Sequence, residues 1–289
     1  MKPPPFELHI PGSLPEAVAM LNCLDGAKVL AGGQSLMAML NLRFVFPDHL
    51  VDINRIPELS YIRVEDQALR FGAMTRQRQI ERSDEVWAAM PILREALLQV
   101  GHRQTRNRGT IGGSLSHLDP AAELPTMALL HDAQVRIAGA QGERTLAMAD
   151  FMADYMTPAI EPNELVVEVA LPRWARGHGH AFLKVARRHG DFAVASAGVL
   201  LEAQDGVISR AAIAVGGVDI LPRRLPAAEA LLVGRPGDAE LFAEAARHAT
   251  LLDSPGDVHF TPDHRRHLAM SLVRRALAIA FGRLNGAAP

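Results

Sequence analysis

Several short apolar runs in this sequence end at or just before a glycine or a proline. Lys28 to Ala31 stops at Gly32-Gly33, Leu50 to Ile53 is followed by Pro57, and Leu165 to Leu171 is closed by Pro172. Both residues interrupt helices and strands. These breaks end the strands read at 28–31 and 165–171 and interrupt whatever follows 50–53. No stretch approaches the roughly 20 apolar residues of a membrane helix. The start, MKPPPFELHIPG, lacks the apolar run of a signal peptide. The expectation is a soluble cytoplasmic protein with no membrane span. Its 289 residues, 48% of them hydrophobic, suffice for two domains or three.

Residues 1–57 read as a β-α-β-like unit. Ala17, Val18, Leu21 and Leu24 share a helical face, with Ser13 or the Leu14-Pro15 step as the start. Lys28 to Ala31 reads as a strand, Leu36 to Leu42 as a helix and Leu50 to Ile53 as a strand. Residues 58–176 open on a hairpin, Tyr61 to Val64 and Ala68 to Phe71 around a polar turn. Thr75 is expected to cap a helix. Trp87 to Leu98 is strongly apolar, with Leu93, Leu97 and Leu98 as core candidates. Gly101 to Pro125 has little periodicity and reads as a long loop, which inside a compact domain is often functional. A short helix at 124–130 and strands at 135–137, 145–148 and 165–171 follow.

The glycine-rich stretch WARGHGH, 174–180, places a boundary at about residue 177. In 177–289 the pattern predicts strands over 181–186, 193–202 and 208–215, with Asp205-Gly206 as a hairpin turn. A helix over 239–249 capped by Asp238 follows. A last helix starts at Thr261-Pro262 and carries Leu268, Leu272, Ala276, Leu277 and Ala280 on one face. An antiparallel sheet with packed helices is the simple layered solution, so the class is α+β. Gly286 to Pro289 are expected to fray.

Charge is balanced. Thirty basic and 32 acidic side chains leave a formal net charge of −2. That gives no electrostatic excess for general nucleic-acid binding. Arg103, Arg106 and Arg108 form a local cluster that could meet phosphate, carboxylate or RNA, or simply face solvent. Arg265, Arg266, Arg274 and Arg275 read as a partner surface or as solvated side chains. The single cysteine, Cys23, excludes an intrachain disulfide and a four-cysteine metal site, and reads as a buried small hydrophobe. His178 and His180 have no adjacent Cys, Asp or Glu; they make a poor metal motif and read as a surface loop.

Two glycine segments could carry chemistry. Ala31-Gly32-Gly33-Gln34-Ser35 lies between a strand and a helix, where successive backbone N–H groups can form a nest for phosphate oxygens. Thr110-Ile111-Gly112-Gly113-Ser114, preceded by Gly101 and Gly109, repeats the pattern. Two nests could hold the two phosphates of a dinucleotide without a cation. Ordinary tight turns are the alternative for both. Asp119 could accept from ribose hydroxyls or an adenine amine, or cap a helix before Pro120 with Glu123 completing the box. The sequence has neither a G-x-G-x-x-G fingerprint nor a P-loop. No G-x-S-x-G elbow or H-E-x-x-H helix supports hydrolase chemistry either.

Four segments, taken in order and spacing, resemble the FAD-binding medium subunits of molybdenum hydroxylases. They are AGGQSLMAMLNLRFVFPDHLVDINRI (31–56), GHRQTRNRGTIGGSLSHLDPAAELP (101–125), FLKVARRHGDFAVAS (182–196) and DVHFTPDHRRHLAMSLVRRAL (257–277). The resemblance implies a two-part FAD-binding domain of the vanillyl-alcohol-oxidase or PCMH type over 1–176, followed by the family's C-terminal domain. It implies that Ala31, Gly32, Gly33, Gln34 and Ser35 wrap the FAD pyrophosphate. Thr110, Ile111, Gly112, Gly113 and Ser114, with Gly101 before them, would form a second phosphate and ribityl clamp. Asp119 would bind the adenosine end, Leu165 would line the flavin site, and Lys184 would lie near the isoalloxazine. A side chain between Arg188 and Phe192 would screen one flavin face.

Two positions depart from the family pattern. Ser114 stands where asparagine is common, and His189 where the carbon monoxide enzyme has an aromatic residue nearby. The implied role is electron transfer, with no catalytic side chain and no metal in this chain. A small subunit would carry two 2Fe–2S clusters and a large subunit the molybdenum cofactor, in a dimer of heterotrimers. Two other readings stay open on the residues alone. One is a stand-alone FAD-dependent oxidoreductase; the other is a nucleic-acid-binding or scaffold protein using residues 103–108.

Overall fold

The computed structural model describes residues 2–284; Gly286 to Pro289, expected to fray, lie outside the described residues. The first unit comprises β1 (Glu7–His9), α1 (Leu14–Cys23), β2 (Ala27–Leu30), α2 (Leu36–Asn41) and β3 (His49–Asp52). Its three strands are parallel in the order β1-β3-β2. Ser13 is extended and its side chain accepts the Glu16 N–H, so α1 begins where the sequence pattern put it. Ala17 and Leu21, four apart, carry the buried face. Cys23 falls two residues past Leu21, on the opposite side of the helix, and is exposed. The expectation of a buried cysteine is therefore wrong.

The second unit runs through β4 (Ile62–Val64), β5 (Ala68–Gly72), α3 (Gln77–Arg82), α4 (Asp84–Ala89), α5 (Pro91–Gln99), α6 (Arg103–Arg108), α7 (Ile111–His117) and α8 (Glu123–Leu130). It continues with β6 (Gln134–Gly139), β7 (Gly142–Ala147), α9 (Met148–Phe151), β8 (Met152–Asp154), β9 (Thr157–Pro158) and β10 (Leu165–Pro172). The main sheet has the order β4-β5-β10-β6-β7. Pro91 splits the apolar stretch into α4 and α5. Leu93 and Leu97 are buried, but Leu98 lies on the outer face and is exposed. Thr75 caps nothing: it is buried, donating to the Tyr61 carbonyl and accepting the Tyr61 N–H. The expected loop 101–125 holds α6 and α7. Each is too short for an apolar stripe to repeat, which is why periodicity missed them.

The third unit is an antiparallel sheet, β11 (Gly179–Val185), β12 (Ala195–Gln204), β13 (Val207–Gly216) and β14 (Arg223–Arg224), in that order. Then come α10 (Pro226–Leu232), α11 (Ala239–Ala246) and α12 (Pro262–Leu284). Asp205 and Gly206 both have positive φ, as a two-residue hairpin turn requires. Asp238 accepts the Leu241 N–H as the cap of α11. Both faces of the sheet are covered. Ala195, Ala197, Val199 and Leu201 share a core with α11 and α12, while Phe182, Leu200, Ala212 and Ala214 share one with α5 and α8. A β-carbon at Gly198 would sit 2.6 Å from the Met127 methyl, so glycine lets α8 lie against β12. Burial on both faces explains why these strands read as continuous apolar runs.

Candidate functional site: the glycine junction and the cleft beyond it

The two glycine segments meet. A β-carbon at Gly32 would lie 2.3 Å from the Arg108 carbonyl oxygen and 2.9 Å from the Gly109 Cα. One at Gly113 would lie 3.6 Å from the Ala31 Cβ. At Gly32 only a residue without a side chain permits the backbones to approach this closely, while Gly113 lies in ordinary contact with Ala31. Gly33 adds a left-handed turn, φ +72°.

Side chains outside the glycine segments hold the junction. Asn54, just past β3, donates to the Ala31 carbonyl at 2.8 Å. Arg76 donates to both the Asn54 side chain and the Arg108 carbonyl. Sequence reading missed both residues; the sole signal was Asn54 within DINR at a strand end, which many turns share. The main sheet reaches the junction through a bulge in β10 at Val167. The Val167 carbonyl accepts the Ala73 N–H, and the Ala73 carbonyl accepts the Gly112 N–H, both at 2.9 Å. A bulge redirects a strand's hydrogen bonds, and here it clamps the second segment.

The segments differ in what they have left to offer. None of the backbone N–H groups of Gly32, Gly33, Gln34 and Ser35 donates to another described residue. In the second segment, Ile111 donates to Thr75, Gly112 to Ala73, Gly113 to the Thr110 hydroxyl and Ser114 to the Thr110 carbonyl. Thr110 thus caps α7, and Gly112-Gly113 form its first turn. Four successive free amides fit the diphosphate of a dinucleotide. The second segment keeps the half-buried Ser114 hydroxyl for such a ligand.

Helix α7 spans about 10 Å from this junction to its far end, where Asp119 follows the left-handed Leu118. Burial raises the Asp119 carboxyl above its ordinary range, opposed by the Ala121 N–H and by His117. Its Oδ1 accepts that N–H at 2.8 Å. Asp119 does not cap α8, whose cap residue is Ala122, and Glu123 does not complete a capping box. Glu123 is buried and pairs with Lys184 at 2.6 Å. Lys184 also donates to the Gln99 carbonyl.

Asp119 opens on a cleft of about 940 Å³ between the second and third units. Tyr155, Arg187, Phe192, Asp219 and Phe260 also line it. Phe192 is 58% exposed there. The glycine segments are not part of its lining; α7 connects the two. Gly101 abuts Gly190 of the third unit, where a β-carbon would meet the Gly101 carbonyl at 3.1 Å. Leu165 begins β10 opposite Ala138 and is buried in the core shared with Ile53 and Met74.

In the basic and histidine clusters, Arg106, Arg265, Arg266 and His178 make structural bonds. Arg106 is buried and donates to Glu81 at 2.7 Å and to the Val100 carbonyl at 2.8 Å; Arg103 and Arg108 are exposed. Arg265 spans the Val194 and Gly217 carbonyls, and Arg266 donates to the Leu252 carbonyl, whereas Arg274 and Arg275 are exposed. His178 is buried rather than in a surface loop, bonded to the Ala175 carbonyl, and His180 belongs to β11.

Comparison with known proteins agrees with this geometry. The family model described as FAD binding domain in molybdopterin dehydrogenase matches residues 4–174. That of the CO dehydrogenase flavoprotein C-terminal domain matches 180–280. The chain is 40% identical over 286 residues to the 6-hydroxypseudooxynicotine dehydrogenase complex subunit alpha of Paenarthrobacter nicotinovorans, covering 98% of this chain and 97% of that protein. It is 39% identical over 286 residues to the carbon monoxide dehydrogenase medium chain of Hydrogenophaga pseudoflava, covering 98% and 99%. Among solved structures, carbon monoxide dehydrogenase from Hydrogenophaga pseudoflava superposes with a TM-score of 0.95 at 39% identity, covering 98% of this chain and 99% of that one. Quinoline 2-oxidoreductase from Pseudomonas putida 86 gives 0.93 at 36% identity, covering 99% of each. No helix among the described residues is long and apolar enough to cross a membrane. The chain belongs to the family of FAD-binding medium subunits of molybdenum hydroxylases.

Proposed function

We propose that the free amides of Gly32, Gly33, Gln34 and Ser35 grip the FAD diphosphate, and that the cofactor is held between the glycine junction and the Asp119 cleft. The chain is the FAD-binding, electron-transfer component of a molybdenum hydroxylase complex, with partner subunits that carry the molybdenum cofactor and iron–sulfur clusters. Bound FAD supplies the redox chemistry, collecting electrons from a partner and passing them to an external acceptor. The protein's work is binding and orientation. Ala31 is held by Asn54, and the second segment by Ala73 and Arg76. Ser114 offers a hydroxyl beside the first segment. Asp119 is the acceptor for a ribose or adenine group. Phe192, exposed in the cleft that Tyr155 and Phe260 also line, is the aromatic of the 188–192 stretch that would cover a flavin face. Lys184 acts through its bonds to Glu123 and Gln99, fixing α5 and α8 against β11. Leu165 supports the junction from the core beneath it, and Gly101 sets the approach of the third unit.

The observation that supports this most is the row of four unused amides sealed against a second backbone. Because dipoles rather than cations grip the diphosphate, FAD affinity should change little with ionic strength. Purified full-length chain should be yellow, bind one FAD, and keep it in high salt. A colourless protein that refuses added FAD would end the reading. A small subunit with two 2Fe–2S clusters and a large molybdenum subunit, assembled as a dimer of heterotrimers, is the proposed complex. Light scattering and metal analysis of material from the native source test it. Cytoplasmic placement, which fits a lone exposed thiol, is tested by cell fractionation.

A further inference from the structure

We propose that Glu7, His9 and His49 form a zinc site that pins the N-terminal strand to the first sheet. β1 and β3 are parallel, with Glu7 opposite His49. Paired residues point to the same face, and His9, two residues on, returns to it. The donor atoms converge there. His9 Nε2 lies 3.1 Å from His49 Nδ1, and Glu7 Oε2 lies 3.4 Å from His49 Nδ1 and 3.8 Å from His9 Nε2. Tetrahedral zinc with bonds of about 2.0–2.1 Å separates its ligand atoms by roughly 3.3 Å. The three donors thus outline one face of such a site.

Two imidazoles and a carboxylate are a zinc donor set, not one for calcium or magnesium. The imidazole nitrogens can share one proton between them, whereas a dication satisfies both lone pairs and the carboxylate at once. Glu7 is exposed and the histidines are partly so, which leaves room for water as a fourth ligand. The site sits at the start of β3, about 10 Å along the strand from Asp52, at the end remote from Asn54 and the glycine junction. Its role is therefore structural: β1 is an edge strand of three residues, and a shared metal would hold it against β3.

The test uses tag-free, full-length, FAD-loaded chain, stripped by a chelator and titrated with zinc alone. One zinc per chain is expected, with the thermal midpoint raised. His9→Gln and His49→Gln should each weaken binding by about tenfold or more, while His267→Gln, an exposed histidine on α12, should not. Cobalt in place of zinc should give the strong visible bands of a tetrahedral centre, at wavelengths beyond the flavin's. Far-UV dichroism and flavin content report whether a variant has folded. If neither variant folds, the cobalt spectrum of the unaltered chain decides. Absence of those bands, retention of no zinc, or equal zinc binding by a folded His9→Gln/His49→Gln double variant would each overturn the site.

Discussion

Adding a β-carbon at Gly32 would place it 2.3 Å from a carbonyl oxygen of the facing backbone, and backbone cannot swing aside as a side chain can. Gly32→Ala should therefore prise the two segments apart. FAD affinity is expected to fall by about 100-fold, roughly 2.7 kcal/mol, with far-UV dichroism unchanged; flavin retention on gel filtration measures it. Retention of FAD by a folded Gly32→Ala chain would remove the junction from the site. A second residue makes a claim about pH. His131 is fully buried, and burial lowers its pKa from 6.5 to about 3, although its ring contacts the Pro172 carbonyl. The unfolded imidazole takes a proton near its ordinary value while the folded one resists. The unfolded state then binds more protons, and stability falls as pH drops through that window. The slope is at most about 1.4 kcal/mol per pH unit. Denaturation of the wild type and of His131→Gln between pH 7 and 4 should show the variant losing less on acidification. Legibility at this scale followed chemistry. Gly32-Gly33 stood out because paired glycines are costly without a use, whereas Asn54 and Arg76 act through contacts distant in sequence that no local pattern records.

Helices α3 and α6 meet through Glu81 and Arg106, with both side chains less than a tenth exposed. From sequence Arg106 looked equivalent to Arg103 and Arg108, three basic residues in a polar stretch. The six-residue helix separates them: Arg106 faces inward and its neighbours face out. Arg106→Ala would leave the buried Glu81 carboxylate to Arg78 alone and remove the Arg106 bond to the Val100 carbonyl, at a cost of about 2–3 kcal/mol. Arg103→Ala should stay within about 0.5 kcal/mol. Chemical denaturation separates the two, and similar small losses would mean that Arg78, which already pairs with Glu81, suffices to hold the carboxylate. Long elements with a clear period, such as α1 and β10 to β13, were readable to within a few residues. What resisted was α6 and α7, and the edge strand β1, whose three residues carry a single period of alternation.

The third unit is bound to the second by a continuous core rather than by a hinge. Phe182, Leu200, Ala212 and Ala214 belong to the same buried cluster as Leu93, Leu97, Met127 and Leu130. Cutting the chain after residue 176 would expose the α5 and α8 faces and leave Glu123 buried in part without Lys184. It would also remove one wall of the cleft, including Phe192, Asp219 and the Arg265 clamp on Val194 and Gly217. The glycine junction lies wholly within residues 31–114, so a fragment of residues 1–176 keeps the diphosphate grip and loses the far wall. Such a fragment should still be protected by a large excess of FAD, yet release it on gel filtration where the full chain does not. Exposed apolar surface should also make it prone to self-association. A monomeric fragment that retained FAD as the full chain does would mean that the third unit serves the partner subunits alone, and that the Asp119 cleft is not where the cofactor is enclosed.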